Sequence, residues 1–432
     1  MMGDYDPHIN IDPLLESRDG YYNIKEVEIE HSSLKKLETP LKVIDGKKLN
    51  EDLANQVKKI IKKPIFESWN SVNQLRSFDS LYNIIENPEH DRRKDQISNL
   101  DNFFGLRKKV WADSYTTLSL SFQRNPFIEN RFKKGDSKPL TWEDYEFLLD
   151  YIHSGSSAFV LVPDIRISEL FSFNDYLNYV DKAIEILSDF NNKPIFAPVP
   201  IKLDSNEFEI LIKRYKMRGY TNLWVDFNAS QISSTQFTRL RYLLRNIKKH
   251  LQLNRTTLYF SHVKKEINKH VIDSKTVASN ALAPFFGSDF LGISREPQIG
   301  FNMDKEAEMN YITKNKFETQ EDYEKAKILN KSRIFDPNTY YYYNIDIYPN
   351  SLPIPINHSK LVSDTINRMM NSVIIHNEMD NARNYIEENK NVKSYAETKA
   401  ALTDDPTILS NMVQASKNQT KLLEFFNQYK NE

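Results

Sequence analysis

Through the middle of the chain, short apolar runs alternate with stretches in which apolar residues recur every three or four positions. The run Ala158-Phe159-Val160-Leu161-Val162 is apolar throughout, as a strand buried on both faces is, and it ends at Pro163-Asp164. Leu177, Val180, Ile184 and Leu187 then share one helix face. A strand from Pro194 to Val199 is followed by a helix carrying Phe208, Leu211, Ile212 and Tyr215, with Gly219 as its stop. Leu223-Trp224-Val225 is a strand ending at Asp226. A helix with Phe237, Leu240, Leu244 and Ile247 leads to the strand Thr257-Leu258-Tyr259-Phe260, which ends at Ser261-His262. Phe285 to Gly292 reads as a further turn and strand.

Repeated β/α units predict parallel strands joined by right-handed crossovers, and polar residues at strand C-termini mark the face where a barrel binds ligands. The pattern predicts an α/β fold, a (β/α)8 TIM-like barrel with additional helices at the C-terminus; a doubly wound open sheet is the alternative. Residues 1–300 are assigned to the barrel with an N-terminal extension. Residues 301–432 are assigned to the C-terminal part of the barrel and a helical region. Upstream, residues 50–110 read as helical and charged. Downstream come a charged helix from Glu318 to Ile328, a tyrosine run from Tyr340 to Tyr343, and a loop marked by Pro349, Pro353 and Pro355. Amphipathic helices are expected over 361–375, 378–388 and 407–429.

Composition narrows the chemistry. A chain of 432 residues, 40% of them hydrophobic, can bury a large core. Lys plus Arg number 58 against 59 Asp plus Glu, so contact with nucleic acid would have to come from local basic patches. With no cysteine there are no disulfides, no thiol catalysis and no Cys-containing metal site. Neither a long apolar span nor a signal-like start occurs, which predicts a cytoplasmic protein without membrane contact. Only 10 glycines are present, and no glycine-rich phosphate loop is found. No metal and no cofactor is expected.

Among candidate site residues, the acids near strand ends come first: Asp113, Asp164, Asp226 and Asp289. For any single one, capping a helix or pairing with a lysine is the better reading; together they could supply a nucleophile, an acid/base and acceptors for a base-like substrate. His262 and His376 are either metal ligands or ordinary hydrogen-bonded histidines. The basic residues Arg239, Arg241, Arg245, Lys248 and Lys249 lie on one helix face and its neighbours, placed to meet phosphates or to form a solvated outer face.

The order of these pieces resembles the tRNA-guanine transglycosylase superfamily, across most of the chain. Glu38-Thr39-Pro40 is similar to the family's first strand region. Trp111-Ala112-Asp113-Ser114-Tyr115 is similar to its Asp-Ser-Gly-Gly segment, with both glycines replaced. Asp164 falls where the family has a base-binding aspartate. Gly287-Ser288-Asp289-Phe290-Leu291-Gly292 resembles G-x-D-x-F-D, with Gly292 in place of the nucleophile. His376-Asn377 resembles a zinc-ligand element whose cysteine partners are missing here.

The resemblance implies a protein acting on guanine or a 7-deazaguanine-type base in nucleic acid, by exchange at an N-glycosidic bond. It implies Asp113 and Asp289 as catalytic residues, Ser114, Asp164, Asp226 and His262 as substrate-binding, and Arg241, Arg245, Lys248 and Lys249 as contacts to tRNA or DNA. Its partners would be tRNA or DNA and a catalytic homologous subunit or a second copy of itself. Two other readings stand beside it: a noncatalytic tRNA-binding or partner subunit of the same superfamily, and an unrelated barrel enzyme acting on a small molecule.

Overall fold

The computed structural model of the chain describes residues 6–15, 22, 24–29, 36–72, 75–86, 93–128, 139–190, 192–232, 236–266, 274–295, 309–310, 313 and 317–416. Its first element is a three-stranded antiparallel sheet, β1 (Ile9–Leu15), β2 (Ile24–Ile29) and β3 (Leu37–Thr39). The barrel follows. Its strands are β4 (Leu41–Lys42) and β5 (Ile44–Asp45), β6 (Ile65–Val72), β7 (Tyr115–Phe122), β8 (Val160–Leu161) and β9 (Asp164–Ile165), β10 (Ile195–Pro200), β11 (Asn222–Ser230), β12 (Thr257–Val263) and, after the short β13 (Lys275–Val277), β14 (Phe290–Leu291).

All barrel pairings are parallel, in two arcs: β4-β14-β12-β11-β10-β8 and β5-β6-β7-β9. The arcs meet at segments 41–45 and 160–165, each of which changes partner part-way along. The ladder is therefore interrupted around the ring, while the strands follow one another in chain order as in a TIM-like barrel. The predicted α/β barrel stands, and the open sheet is excluded by the β4–β14 pairing of the first strand with the last.

Helices cover the outside. They are α1 (Glu51–Ile60), α2 (Leu75–Ile85), α3 (Arg93–Phe104), α4 (Lys108–Trp111), α5 (Trp142–Gly155), α6 (Phe173–Asp189), α7 (Ser205–Arg218) and α8 (Phe237–His250). Their starts are specified locally: Thr141, Ser172 and Asp204 each close a capping box, opening α5, α6 and α7. Gly219 ends α7 in the left-handed conformation at φ 77°, which a side chain would strain. The 26-residue helix Asp364–Asn389 runs through the two helices expected at 361–375 and 378–388, and lies against β4 and β5 with Met370, Val373 and Ile374 buried. The helix expected over 407–429 is present as Pro406–Ser416, and its remainder lies outside the described residues.

One expectation changes: the region 50–110 is not only helical, for it contains the whole of β6. Within the tyrosine run, Tyr341–Tyr343 is a strand between Ile334–Asp336 and β13, with Tyr342 fully buried.

The barrel interior has its own apolar fill, including Val43, Ile65, Phe159, Phe196, Trp224 and Phe290. Ile9, Val27 and Ile29 of the N-terminal sheet join it, so that sheet closes the end where the strands begin. The strands finish at the opposite end, which that sheet does not cover.

Candidate functional site

Three polar side chains meet where the strands finish. Asp164 begins β9, Asp226 lies within β11 in register with Pro200 and Ser261, and His262 is the next-to-last residue of β12. All three are buried. Nδ1 of His262 lies 2.9 Å from Oδ1 of Asp226, and the Asn228 amide donates to the same oxygen at 2.7 Å. Burial alone would raise the Asp226 carboxyl. The charge and hydrogen bond of His262, with the Asn228 amide, outweigh it and hold Asp226 below its ordinary value. His262 has a φ of 54°, a left-handed conformation unusual for a side-chain-bearing residue, and Asn228 and Ala229 share that region at 45° and 59°. Nε2 of His262 is buried with no hydrogen-bond partner among the described residues.

Asp164 is displaced the other way. Burial, and after it the charge of Asp226, push its carboxyl up to about 7. Oη of Tyr176 lies 3.0 Å from Oδ1 of Asp164 and 3.0 Å from the Pro198 carbonyl. Donation from the Tyr176 hydroxyl to Asp164 pulls its carboxyl down, and burial outweighs that pull. Two carboxyls at one mouth are thus separated in proton affinity, the usual basis for dividing acid and base roles.

Around them, the ring of Trp69 packs on His262 with centroids 4.5 Å apart, and the Arg295 guanidinium lies 4.9 Å from the Trp69 ring. Beneath, Glu67 is buried and fully occupied. Its carboxylate accepts from Ser119 Oγ at 2.6 Å, from Tyr259 Oη at 2.6 Å and from the Ile293 amide at 2.9 Å. It ties four strand segments together rather than facing a ligand.

The remaining residues singled out in the sequence are elsewhere. Asp113 and Ser114 immediately precede β7, at the end where strands begin; Asp113 is exposed, and Ser114 donates to the Trp111 carbonyl at 2.6 Å. Asp289 immediately precedes β14 at the same end. It is buried, its oxygens are 2.8 and 2.9 Å from Nζ of Lys25, and it accepts the Leu258 amide at 2.7 Å. Gly292 faces Tyr259 and Glu67 so closely that a Cβ there would lie 2.6 Å from Oη of Tyr259. His376 sits with Nδ1 3.3 Å from the Lys42 carbonyl and Nε2 3.9 Å from Asp380. Arg241 lies over Phe237, Lys249 pairs with Glu209 at 3.2 Å, and Arg245, Lys248 and Lys249 occupy the later turns of α8, away from the end where the strands finish.

No family model matches the chain. No curated protein matches it either. Among solved structures, the modular endo-β-1,4-mannanase of Cellulomonas fimi, a glycoside hydrolase of family 26, is similar over 59% of this chain and 65% of its own, at 14% identity and a TM-score of 0.33. An engineered protein is similar over 63% and 69%, at 13% identity and TM-score 0.35. The protein GH26C of a Muricauda species is similar over 64% and 85%, at 10% identity and TM-score 0.32. Likenesses this small carry no argument about activity.

The transglycosylase resemblance is nevertheless corrected. The residues that carried the resemblance do not form one site. Asp113 and Asp289 lie at the opposite end of the barrel from Asp164 and Asp226, and the Gly292 position has no room for a carboxylate. Base exchange in nucleic acid by that family's constellation is therefore not supported for this chain. Among the described residues, no helix is long and apolar enough to cross a membrane.

Proposed function

We propose that the protein is a barrel enzyme acting by general acid–base catalysis on a small polar molecule, with Asp164 as acid and the Asp226–His262 pair as base. The observation that carries this reading is the 2.9 Å contact between Asp226 and Nδ1 of a buried histidine whose Nε2 has no partner among the described residues. An ionised Asp226 accepts the Nδ1–H, which leaves the lone pair on Nε2 and fixes the ring in the orientation to use it. Nε2 then takes a proton from substrate or from an attacking water. Asp164, protonated in a good fraction of molecules near neutral pH, delivers a proton to the departing or developing oxyanion.

The test is turnover by the full chain of a panel of chromogenic esters, phosphates and glycosides, wild type against Asp226→Asn and Asp164→Asn. The reading requires an activity that each substitution lowers by about 10²-fold or more. Turnover that survives both substitutions overturns it.

A further inference from the structure

Four cationic side chains ring the same mouth, each following a different strand. Arg166 comes directly after β9 and is exposed, and its amide donates to the Phe122 carbonyl at 2.9 Å. Lys202 stands two residues beyond β10, Arg239 in the first turn of α8, and Arg295 four residues beyond β14, its amide 3.1 Å from the Val263 carbonyl. Topology alone therefore brings them to the end where the strands finish.

Lys202 feels the charges of Arg166, Arg239 and Asp226, and Arg295 that of Asp226. Burial, then the charges of Arg166 and Arg239, hold the Lys202 ammonium below its ordinary value, with Asp226 opposing. Arg295 covers Trp69, which in turn packs on His262. Among the described residues none of the four forms an ion pair within 4.0 Å, and Arg239 bonds only to neutral Gln236. The acids that open α7, just after Lys202 in the chain, are engaged in its cap. Asp204 caps α7 through the Asn206 and Glu207 amides, while Glu207 folds back onto the Asp204 amide. Asp226 is the one acid acting on both Lys202 and Arg295, so one carboxylate faces several cations, and an anion bound among them offsets the remaining like-charge repulsion.

We propose that this ring, Arg166, Lys202, Arg239 and Arg295, takes the phosphate group of a small-molecule substrate and presents the rest of that molecule to Asp164, Asp226 and His262. The assignment of the substrate rests on the acid–base reading; the binding of the anion does not. A dianion matches several converging cations better than a carboxylate does, and the planar guanidinium forks suit phosphate oxygens. The four follow four different strands rather than lining one helix face, which fits a compact anion better than a polynucleotide backbone.

The experiment titrates the full chain with inorganic phosphate near neutral pH, followed by calorimetry and tryptophan fluorescence, with acetate and a single-stranded oligonucleotide as parallel arms. Saturable phosphate binding is expected. The Arg166→Gln/Lys202→Gln double variant should weaken it by about tenfold or more, and Asp226→Asn should leave it unchanged or tighter, since a negative charge is removed. No saturation, or binding indifferent to the double variant, overturns the proposal. Acetate binding as well as phosphate overturns the choice of a dianion. Tighter binding of the oligonucleotide, lost in the double variant, assigns the ring to nucleic acid instead. Phosphate binding by a protein whose turnover ignores Asp164 and Asp226 removes the acid–base reading alone. Turnover that needs Asp226 without any phosphate binding removes this proposal alone.

Discussion

Nδ1 of His262 and Oδ1 of Asp226 lie 2.9 Å apart on neighbouring parallel strands, joined by the register that sets Asp226 opposite Ser261. The pairing brings the carboxylate beside the residue that follows Ser261, and the left-handed backbone at His262 turns its ring toward Trp69. Substituting Asp226 by Asn keeps the size and can keep a hydrogen bond, but removes the charge and favours the wrong histidine tautomer. The expected loss is in kcat, about 10²- to 10⁴-fold, with a much smaller change in KM. Steady-state kinetics on the first substrate identified checks this.

Asp164 makes a prediction about pH. Its carboxyl is raised to about 7, mainly by burial, from an unfolded value of about 3.9. Below pH of about 4 the group is protonated folded or unfolded and costs nothing. As pH rises toward 7 the folded state holds a proton that the unfolded state has released, so stability falls, and the loss is complete above the folded value. A displacement of this size corresponds to about 4 kcal/mol at most. Urea unfolding of wild type at several pH values should show this decline, and Asp164→Asn should abolish it. Catalysis should share an alkaline limb near pH 7, where the acid loses its proton.

Which parts of this site were legible follows from what each strand buries. The runs around Phe159, Phe196, Trp224 and Tyr259 fill the barrel and are flanked by helices, so they read as unbroken apolar strands. β6 and β7 do not, because at those places the interior is polar: Glu67 and Ser119 bond to each other across it, and Ser121 is buried as well. Trp69, the neighbour of His262, was hidden with β6. Asp164, Asp226 and His262 stand out in the sequence because each ends an apolar run, and the structure brings them together. Asp113 and Asp289 were misplaced because a residue beside a strand does not say which end of the barrel it is on, and both stand before their strands. Arg166, Lys202 and Arg295 were missed. The signal for them was their place just beyond strands whose ends the sequence had largely marked.

Gly292 is a packing requirement. A Cβ there would lie 2.5 Å from Cε1 of Tyr259 and 2.8 Å from Oε2 of Glu67, and Tyr259 and Glu67 are held by their own hydrogen bond of 2.6 Å. The tyrosine cannot swing away without leaving a buried carboxylate short of a donor. Gly292→Ala should destabilise the fold by about 1–3 kcal/mol, as overpacking does, and Gly292→Asp should prevent folding. Denaturant midpoints measure the first, and soluble yield with circular dichroism the second. A Gly292→Asp protein that folds normally and gains activity would restore the discarded nucleophile.

The pair Lys25–Asp289 makes the opposite claim about an acid once placed in the catalytic centre. Both side chains are buried, and Lys25 also donates to the Thr256 carbonyl at 2.8 Å, so the pair ties the closing sheet to the beginnings of β12 and β14. Burial raises the Asp289 carboxyl, with Lys25 and the Leu258 amide pulling against it, and an unpaired charge at either position would be costly. Asp289→Ala should therefore cost about 3–5 kcal/mol, while a Lys25→Met/Asp289→Leu double variant should recover much of that, since an apolar pair leaves no charge behind. The remaining folded enzyme should keep its kcat in both variants. If Asp289→Ala instead retained its melting temperature and lost turnover, the acid would belong to the chemistry and the end of the barrel where the strands finish would not be the reacting one.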